Sequence, residues 1–160
     1  MTDVPASPTL TAGPVTLRDL VPADVDDIGE ACREEQTWTW TSVPHPYERQ
    51  HGVDYVARTM GTPLDSEWPR WGIEVDGRWS GNIGLRMDGE GQADIGYLVA
   101  PWARRRGVGS IAAWLACDWA FREGGCEVVT WHALVGNEPS RRLGMGRRTD
   151  ARTRRNTASL

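Results

Sequence analysis

Trp71-Gly72-Ile73-Glu74-Val75-Asp76-Gly77-Arg78-Trp79-Ser80-Gly81-Asn82-Ile83-Gly84-Leu85-Arg86-Met87 reads as two strands joined by a two-residue turn. Trp71, Ile73 and Val75 alternate with other residues, Asp76-Gly77 is a tight hairpin pair, and Trp79, Gly81, Ile83, Leu85 and Met87 alternate again. Asp88-Gly89-Glu90-Gly91 marks a second turn, after which Ala93, Ile95, Tyr97 and Val99 form a third alternating run. Three antiparallel strands in meander order follow from those two turns. Gly96, on the other face of the third strand, predicts a β-bulge there.

Outward from this meander the chain changes period. Pro101 ends the third strand. Val108, Ile111, Leu115 and Trp119 then share one side of a helix predicted over about Gly107 to Glu123, with Gly124-Gly125 as its stop. Residues Val128 to Val135 are apolar on both faces, as in a buried strand, and strand, crossover helix and strand make a βαβ unit with a parallel pair. On the N-terminal side, Val15 and Leu17 suggest a short strand, and Pro22 opens a helix carrying Val25, Ile28 and Cys32. A second helix is predicted over about Tyr47 to Met60, weakened by Gly52, with a loop or irregular helix at Gln36 to Pro46. The fold class expected is α/β (α+β): a mixed, mainly antiparallel sheet flanked by helices.

The 160 residues suit one domain, and 39% hydrophobic content with 25% charge excludes wholesale disorder. No run of 18 apolar residues and no signal-like N-terminus occurs, so neither a membrane span nor secretion is expected and the chain reads as cytoplasmic. Cys32, Cys117 and Cys126, an odd number without CxxC spacing, read as reduced thiols filling the core. Residues 1–14, rich in Pro, Thr and Ala, read as a flexible tail.

The chemistry concentrates in Arg104-Arg105-Arg106-Gly107-Val108-Gly109-Ser110, between strand and helix. Two glycines one residue apart let the backbone approach a ligand, and a helix N-terminus behind three arginines favours a phosphate or pyrophosphate. A basic surface turn with a glycine cap is the alternative. Gly107-x-Gly109-x-x-Ala112 also matches a dinucleotide fingerprint, but seven residues, Ala100 to Arg106, separate it from its strand. The fingerprint also belongs to a first βα unit, and the acidic residue expected at the end of the next strand is absent, so that reading is rejected. A Walker loop is excluded because all 18 basic residues are arginines.

Arg104-x-x-Gly107-x-Gly109 resembles the R/Q-x-x-G-x-G/A acetyl-coenzyme A signature of the GNAT superfamily of N-acetyltransferases. Asp94-Ile95-Gly96-Tyr97, Cys117-Asp118-Trp119-Ala120-Phe121 and Gly136-Asn137-Glu138-Pro139-Ser140 make it similar to the RimJ/RimL branch, over about residues 15–142. The resemblance implies that a bulge near Gly96 splays the flanking strands and that pantetheine threads the gap on the backbone of Leu98 and Val99. The amides of Arg106, Gly107, Val108 and Gly109 would hold the pyrophosphate, with Arg104 adding charge, and Asn137 would reach the pantetheine arm. An amine, on a small molecule or a protein N-terminus, would attack the thioester directly, with a backbone N–H of Leu98 or Val99 for the oxyanion. Asp94, standing where relatives carry Glu, would be the base directly or through a water, or would only pair with a neighbouring strand residue; Glu74 is a weaker candidate. Ser140 would be the acid toward the thiolate, or an ordinary first-turn serine. His45 and His51 fall in or near a loop, and His132 sits in an apolar strand as a core histidine does; no metal site is expected.

The C-terminal end departs from this pattern. Residues 1–140 carry 11 arginines against 21 carboxylates, whereas residues 141–160 carry seven arginines against Asp150 alone. Relatives continue with a full helix, a Gly-Phe pair and two more strands; here two glycines and an Arg-rich run follow Leu143. The expected organisation is therefore a tail at 1–14, an acetyltransferase domain at 15–143 lacking its last two strands, and a disordered Arg-rich tail at 144–160, with a frame change near Leu143. The alternatives are a catalytically impaired acyl-CoA-binding remnant and a basic-tailed interaction protein. Without interleaved aromatics the tail argues against nucleic acid. Completion by another chain, as in a homodimer, is a further expectation.

Overall fold

The computed structural model describes residues 8–60 and 68–132, together with Asn137, Glu138 and Arg142. Ser140, the last part of the 128–135 strand and the 144–160 tail lie outside the described residues. The strands are β1 (Leu10–Ala12), β2 (Val15–Arg18), β3 (Arg70–Val75), β4 (Arg78–Met87), β5 (Gln92–Val99) and β6 (Val128–Trp131). They form one sheet in sequence order, antiparallel except for the parallel β5–β6 pair. The helices are α1 (Val25–Cys32), α2 (Glu35–Trp40), α3 (Arg49–Thr59) and α4 (Val108–Arg122), and α4 is the crossover. The meander and the βαβ unit are both as the sequence predicts.

Two cores lie on opposite faces of the sheet. Trp71, Ile73, Ile83, Leu85 and Ile95 pack against Val108, Ala112, Leu115 and Trp119 of α4. Leu20, Val25, Ile28, Val56 and Trp79 fill the space under α1 and α3. Gly52 serves this second core: a Cβ there would stand 3.3 Å from Val25 Cγ1, so its smallness lets α3 close onto α1. The residue that weakens the helix prediction is the one the helix packing needs.

Three expectations are corrected. Leu10–Ala12, assigned to the tail by composition, pair with β2 as an edge strand, and Trp71 Nε1 donates to the Pro8 carbonyl at 2.9 Å. The bulge is not at Gly96, whose ladder to β4 runs unbroken with Gly84 opposite it. It sits on β4, where Ile73 pairs with Gly81 but Glu74 with Trp79, leaving Ser80 extra. Ser80 is buried, its hydroxyl donates to the Arg78 carbonyl at 3.1 Å, and its own carbonyl accepts the Ala100 N–H at 2.8 Å. That bonding stabilises the irregularity, and the extra residue inverts the alternation. Trp79 consequently joins the α1–α3 core instead of the face of Ile83 and Leu85 with which the alternation grouped it. Of the two readings of the stretch around Trp38, loop or irregular helix, the short helix α2 agrees with the second.

Among the described residues no helix is long and apolar enough to cross a membrane, and no cluster of His, Cys, Asp or Glu could hold a metal ion. The three cysteines are unpaired, and burial pushes the Cys32 and Cys117 thiols up to about 11, where they are inert.

Candidate active site

The strand-to-helix loop has the geometry of an anion cradle. Arg105 and Gly107 both take positive φ, 60° and 73°, while Arg104 between the 3₁₀ turn Pro101–Ala103 and this pair is extended. The first turn of α4 closes with the Ile111 N–H on the Gly107 carbonyl at 3.1 Å. Val108, Gly109 and Ser110 therefore keep the unpaired N–H groups of a helix start, and the amides of Arg105 to Gly107 have no backbone acceptor among the described residues. Nothing lies within 4 Å of where a Gly107 Cβ would stand, so the loop faces open space. Successive amides in this αL-containing turn, ahead of a helix N-terminus, suit a phosphate.

The arginines divide the work differently from the sequence expectation. All five N–H donors of Arg104 are engaged: Nε on the Val99 carbonyl at 3.2 Å, Nη1 on Glu34 and Gln36, Nη2 on Glu34 and Thr37. It ties the loop to the start of α2 and has no donor left for a ligand. Arg106 pairs with Asp76 of the β3–β4 turn at 3.2 Å, an exposed and therefore loose tie. Arg105 has no ion-pair partner among the described residues.

Glu34 is the anchor that sequence reasoning missed, because its partner lies 70 positions away. Its Oε2 accepts from Arg104 twice and from the Thr37 N–H and hydroxyl. Burial works to raise its carboxyl, but the bond and charge of Arg104 and the two Thr37 bonds together outweigh that and hold it below the ordinary range. A lowered folded-state value means that stabilisation is present above the unfolded carboxylate range and is lost as pH falls through the folded value. Glu34→Gln is accordingly expected to cost about 1 kcal/mol in urea unfolding at about pH 7, given the partial exposure, with the difference from wild type closing as the pH is taken below the ordinary carboxylate range.

Among the described residues parallel pairing of β5 with β6 runs from Gln92–Val128 to Ile95–Trp131, and His132 is outside the strand. The Ala100 N–H reaches the Ser80 carbonyl, so even-numbered residues of β5 turn their backbone toward β4 and odd-numbered ones toward β6. Leu98 is thereby committed to the β4 ladder. Val99 turns its N–H toward the β6 side instead, with its carbonyl held by Arg104. Of the two backbone candidates, Val99 is therefore the one whose N–H does not belong to the β4 ladder.

On the opposite face, Gly84 pairs with Gly96 and leaves a floor bare of side chains. Trp68, 46% exposed, and Arg70 border it, the guanidinium 4.3 Å from the ring centroid. At the edge of this floor stands Asp94. Its carboxylate accepts from the Thr130 hydroxyl, from Arg86 at 3.3 Å, and faces His132 Nε2 at 3.5 Å. The Thr130 bond, then the charges of His132 and Arg86 against an opposing burial effect, hold the Asp94 carboxyl below its usual range. His132 is half exposed, one residue past the end of β6, and not a core histidine. Glu74 is tied to Arg18 at 2.5 Å, away from this edge. Asn137 is half-buried.

A family model described as Acetyltransferase (GNAT) domain matches residues 15–145. No curated protein matches the sequence. Among solved structures, a Vibrio cholerae protein described as a ribosomal-protein-serine acetyltransferase superposes with TM-score 0.78 at 14% identity, covering 89% of this chain and 83% of that one. RimL, a ribosomal L7/L12 alpha-N-protein acetyltransferase in complex with coenzyme A, gives 0.73 at 14% over 87% and 82%. RimJ of Mycobacterium smegmatis, with a coenzyme A disulfide, gives 0.73 at 17% over 86% and 73%.

Proposed function

Because the chain belongs to the GNAT acetyltransferase family, we propose that it transfers the acetyl group of acetyl-CoA to a primary amine, on a small molecule or a protein N-terminus, by direct attack. The observation that carries this reading is the cradle: the amides of Arg105–Gly109, with no backbone acceptor among the described residues, follow directly on β5, whose odd-numbered backbone groups turn toward the β6 side. Acetyl-CoA, when bound, supplies the activated thioester.

Each residue then has a task in that reading. The amides of Arg106, Gly107, Val108 and Gly109 hold the pyrophosphate, and the Val99 N–H stabilises the developing oxyanion. Arg104 positions the loop through Glu34 and adds its charge to the local potential. Asn137 reaches the pantetheine arm. The Asp94 carboxylate serves removal of the ammonium proton, and Ser140 protonates the departing thiolate. A cytoplasmic site of action and a second copy closing the sheet edge belong to the same reading.

The test has two arms. Thermal unfolding with and without acetyl-CoA should show an upward shift that grows with concentration. Release of coenzyme A thiol against a panel of short peptides and small amines should then identify acceptors. A shift without thiol release would mark an acyl-CoA-binding protein without turnover, and no shift would sink both cofactor readings.

A further inference from the structure

Resting on the reading just given, we propose that His132 is the base that takes the proton from the acceptor ammonium, and that Asp94 is its positioning residue and not the base itself. Three observations lead there.

The first is placement. Among the described residues β6 ends at Trp131 and the last β5–β6 pair is Ile95–Trp131, so His132 is the first residue past that pair. It follows the strand beside Gly96, where nothing lies within 4 Å of a Cβ position. The imidazole is 53% exposed, within reach of solvent and of an incoming amine.

The second is the division among histidines. His45 stacks on Trp38 with ring centroids 4.2 Å apart, and His51 Nδ1 accepts the Glu48 N–H at 3.0 Å, capping α3. Both have structural work. His132 faces a carboxylate instead, with Nε2 3.5 Å from Asp94 Oδ1. That contact favours a proton on Nε2 in the neutral ring and leaves the Nδ1 lone pair for a substrate proton.

The third is the state of Asp94. With the Thr130 hydroxyl and Arg86 already donating to it, its carboxylate is stabilised as an anion and is a weak proton acceptor. A carboxylate held ionised suits the orientation of an imidazole and the stabilisation of the imidazolium that forms. Among the described residues the charged groups facing His132 are thus Asp94 from β5 and, through it, Arg86 from β4.

The chemistry balances without a further reagent. His132 Nδ1 accepts one proton from R–NH3+, giving the free amine and an imidazolium. The amine nitrogen bonds to the thioester carbonyl carbon and the C–S bond breaks. The second amine proton accompanies the leaving sulfur as thiol, and the imidazolium returns its proton to solvent.

Ring-nitrogen NMR of neutral His132 is the activity-independent readout. The Nε2–H tautomer is expected in the wild type and a mixture of tautomers in Asp94→Asn; an Nδ1–H ring, or no change in the variant, would overturn the dyad. In turnover, the amine that the panel selects is used with acetyl-CoA. His132→Ala should lose about 100-fold in kcat/KM, with the acetyl-CoA thermal shift retained. It should also lose the acid limb of its pH–rate profile and recover part of its rate with added imidazole. An unchanged profile, or a loss that imidazole does not relieve while Asp94→Ala loses the limb, would return the role to Asp94. If the wild type binds acetyl-CoA and acetylates nothing, the acetyl-transfer reading fails, and the base role falls with it even where the tautomer survives.

Discussion

Gly107→Val is expected to weaken acetyl-CoA binding roughly 100-fold or more in isothermal titration calorimetry while leaving the fold intact. Gly107 sits at φ 73° and ψ 5°, in the left-handed region where a β-branched side chain is strained by about 1–3 kcal/mol. Space is not the obstacle, since a Cβ there meets nothing within 4 Å. The chain can relieve the strain only by rotating the peptides on either side, which turns away amides that the cradle aims at the pyrophosphate. Each such charge-assisted bond is worth about 1.5–3 kcal/mol, so losing two already accounts for the loss. Gly107→Asn is the control, because asparagine tolerates the left-handed conformation. It should keep most of the affinity. Equal losses in both variants would mean that a side chain of any kind blocks the loop, and the backbone explanation would be wrong.

Why Gly107 was legible in the sequence and Glu34 was not comes down to distance along the chain. The loop's function is carried by local backbone conformation, which glycine spacing announces. The same holds for the Asp76-Gly77 turn, where both residues take positive φ, and for the strands on either side of it. Glu34 and His132 acquire their roles from partners 70 and 38 positions away, through the Arg104 and Asp94 contacts, and no periodicity encodes those. Apolar neighbours made His132 look buried. It lies just past the end of β6, where its side chain is half exposed.

Trp79 shows a subtler failure. Alternation is a reliable guide only while the ladder is regular, and one extra residue, Ser80, exchanges the two faces beyond it. Nothing in Arg78-Trp79-Ser80-Gly81 signals that the bulge lies there and not at Gly96. What fixes it is the tertiary bonding of a buried serine to the Ala100 N–H and to the Trp102 indole at 3.3 Å. The N-terminal strand was hidden for a related reason: Leu10–Ala12 is only three residues long, and becomes a strand because β2 offers an edge to pair with.

Trp71→Ala should be the most damaging single change to the fold, costing about 3–5 kcal/mol of the roughly 5–15 kcal/mol by which such domains are stable. Trp71 is 1% exposed at the centre of the α4-side core, edge-to-face with Trp119 at 5.4 Å and 74°. Its Nε1 also donates to the Pro8 carbonyl, so the same side chain that fills the core fastens the segment leading into β1. Removing the indole would open a cavity between β3 and α4 that neither element can fill, since both are fixed by other contacts. Urea unfolding followed by circular dichroism measures the loss. Trp71→Phe separates the two contributions: it keeps a ring against Trp119 and gives up the bond to Pro8. If packing dominates, phenylalanine should recover most of the stability and leave a deficit of about 1–2 kcal/mol. If phenylalanine is as poor as alanine, the indole N–H that anchors the N-terminal strand matters more than the core volume, and the edge strand is then part of the cooperative unit of folding.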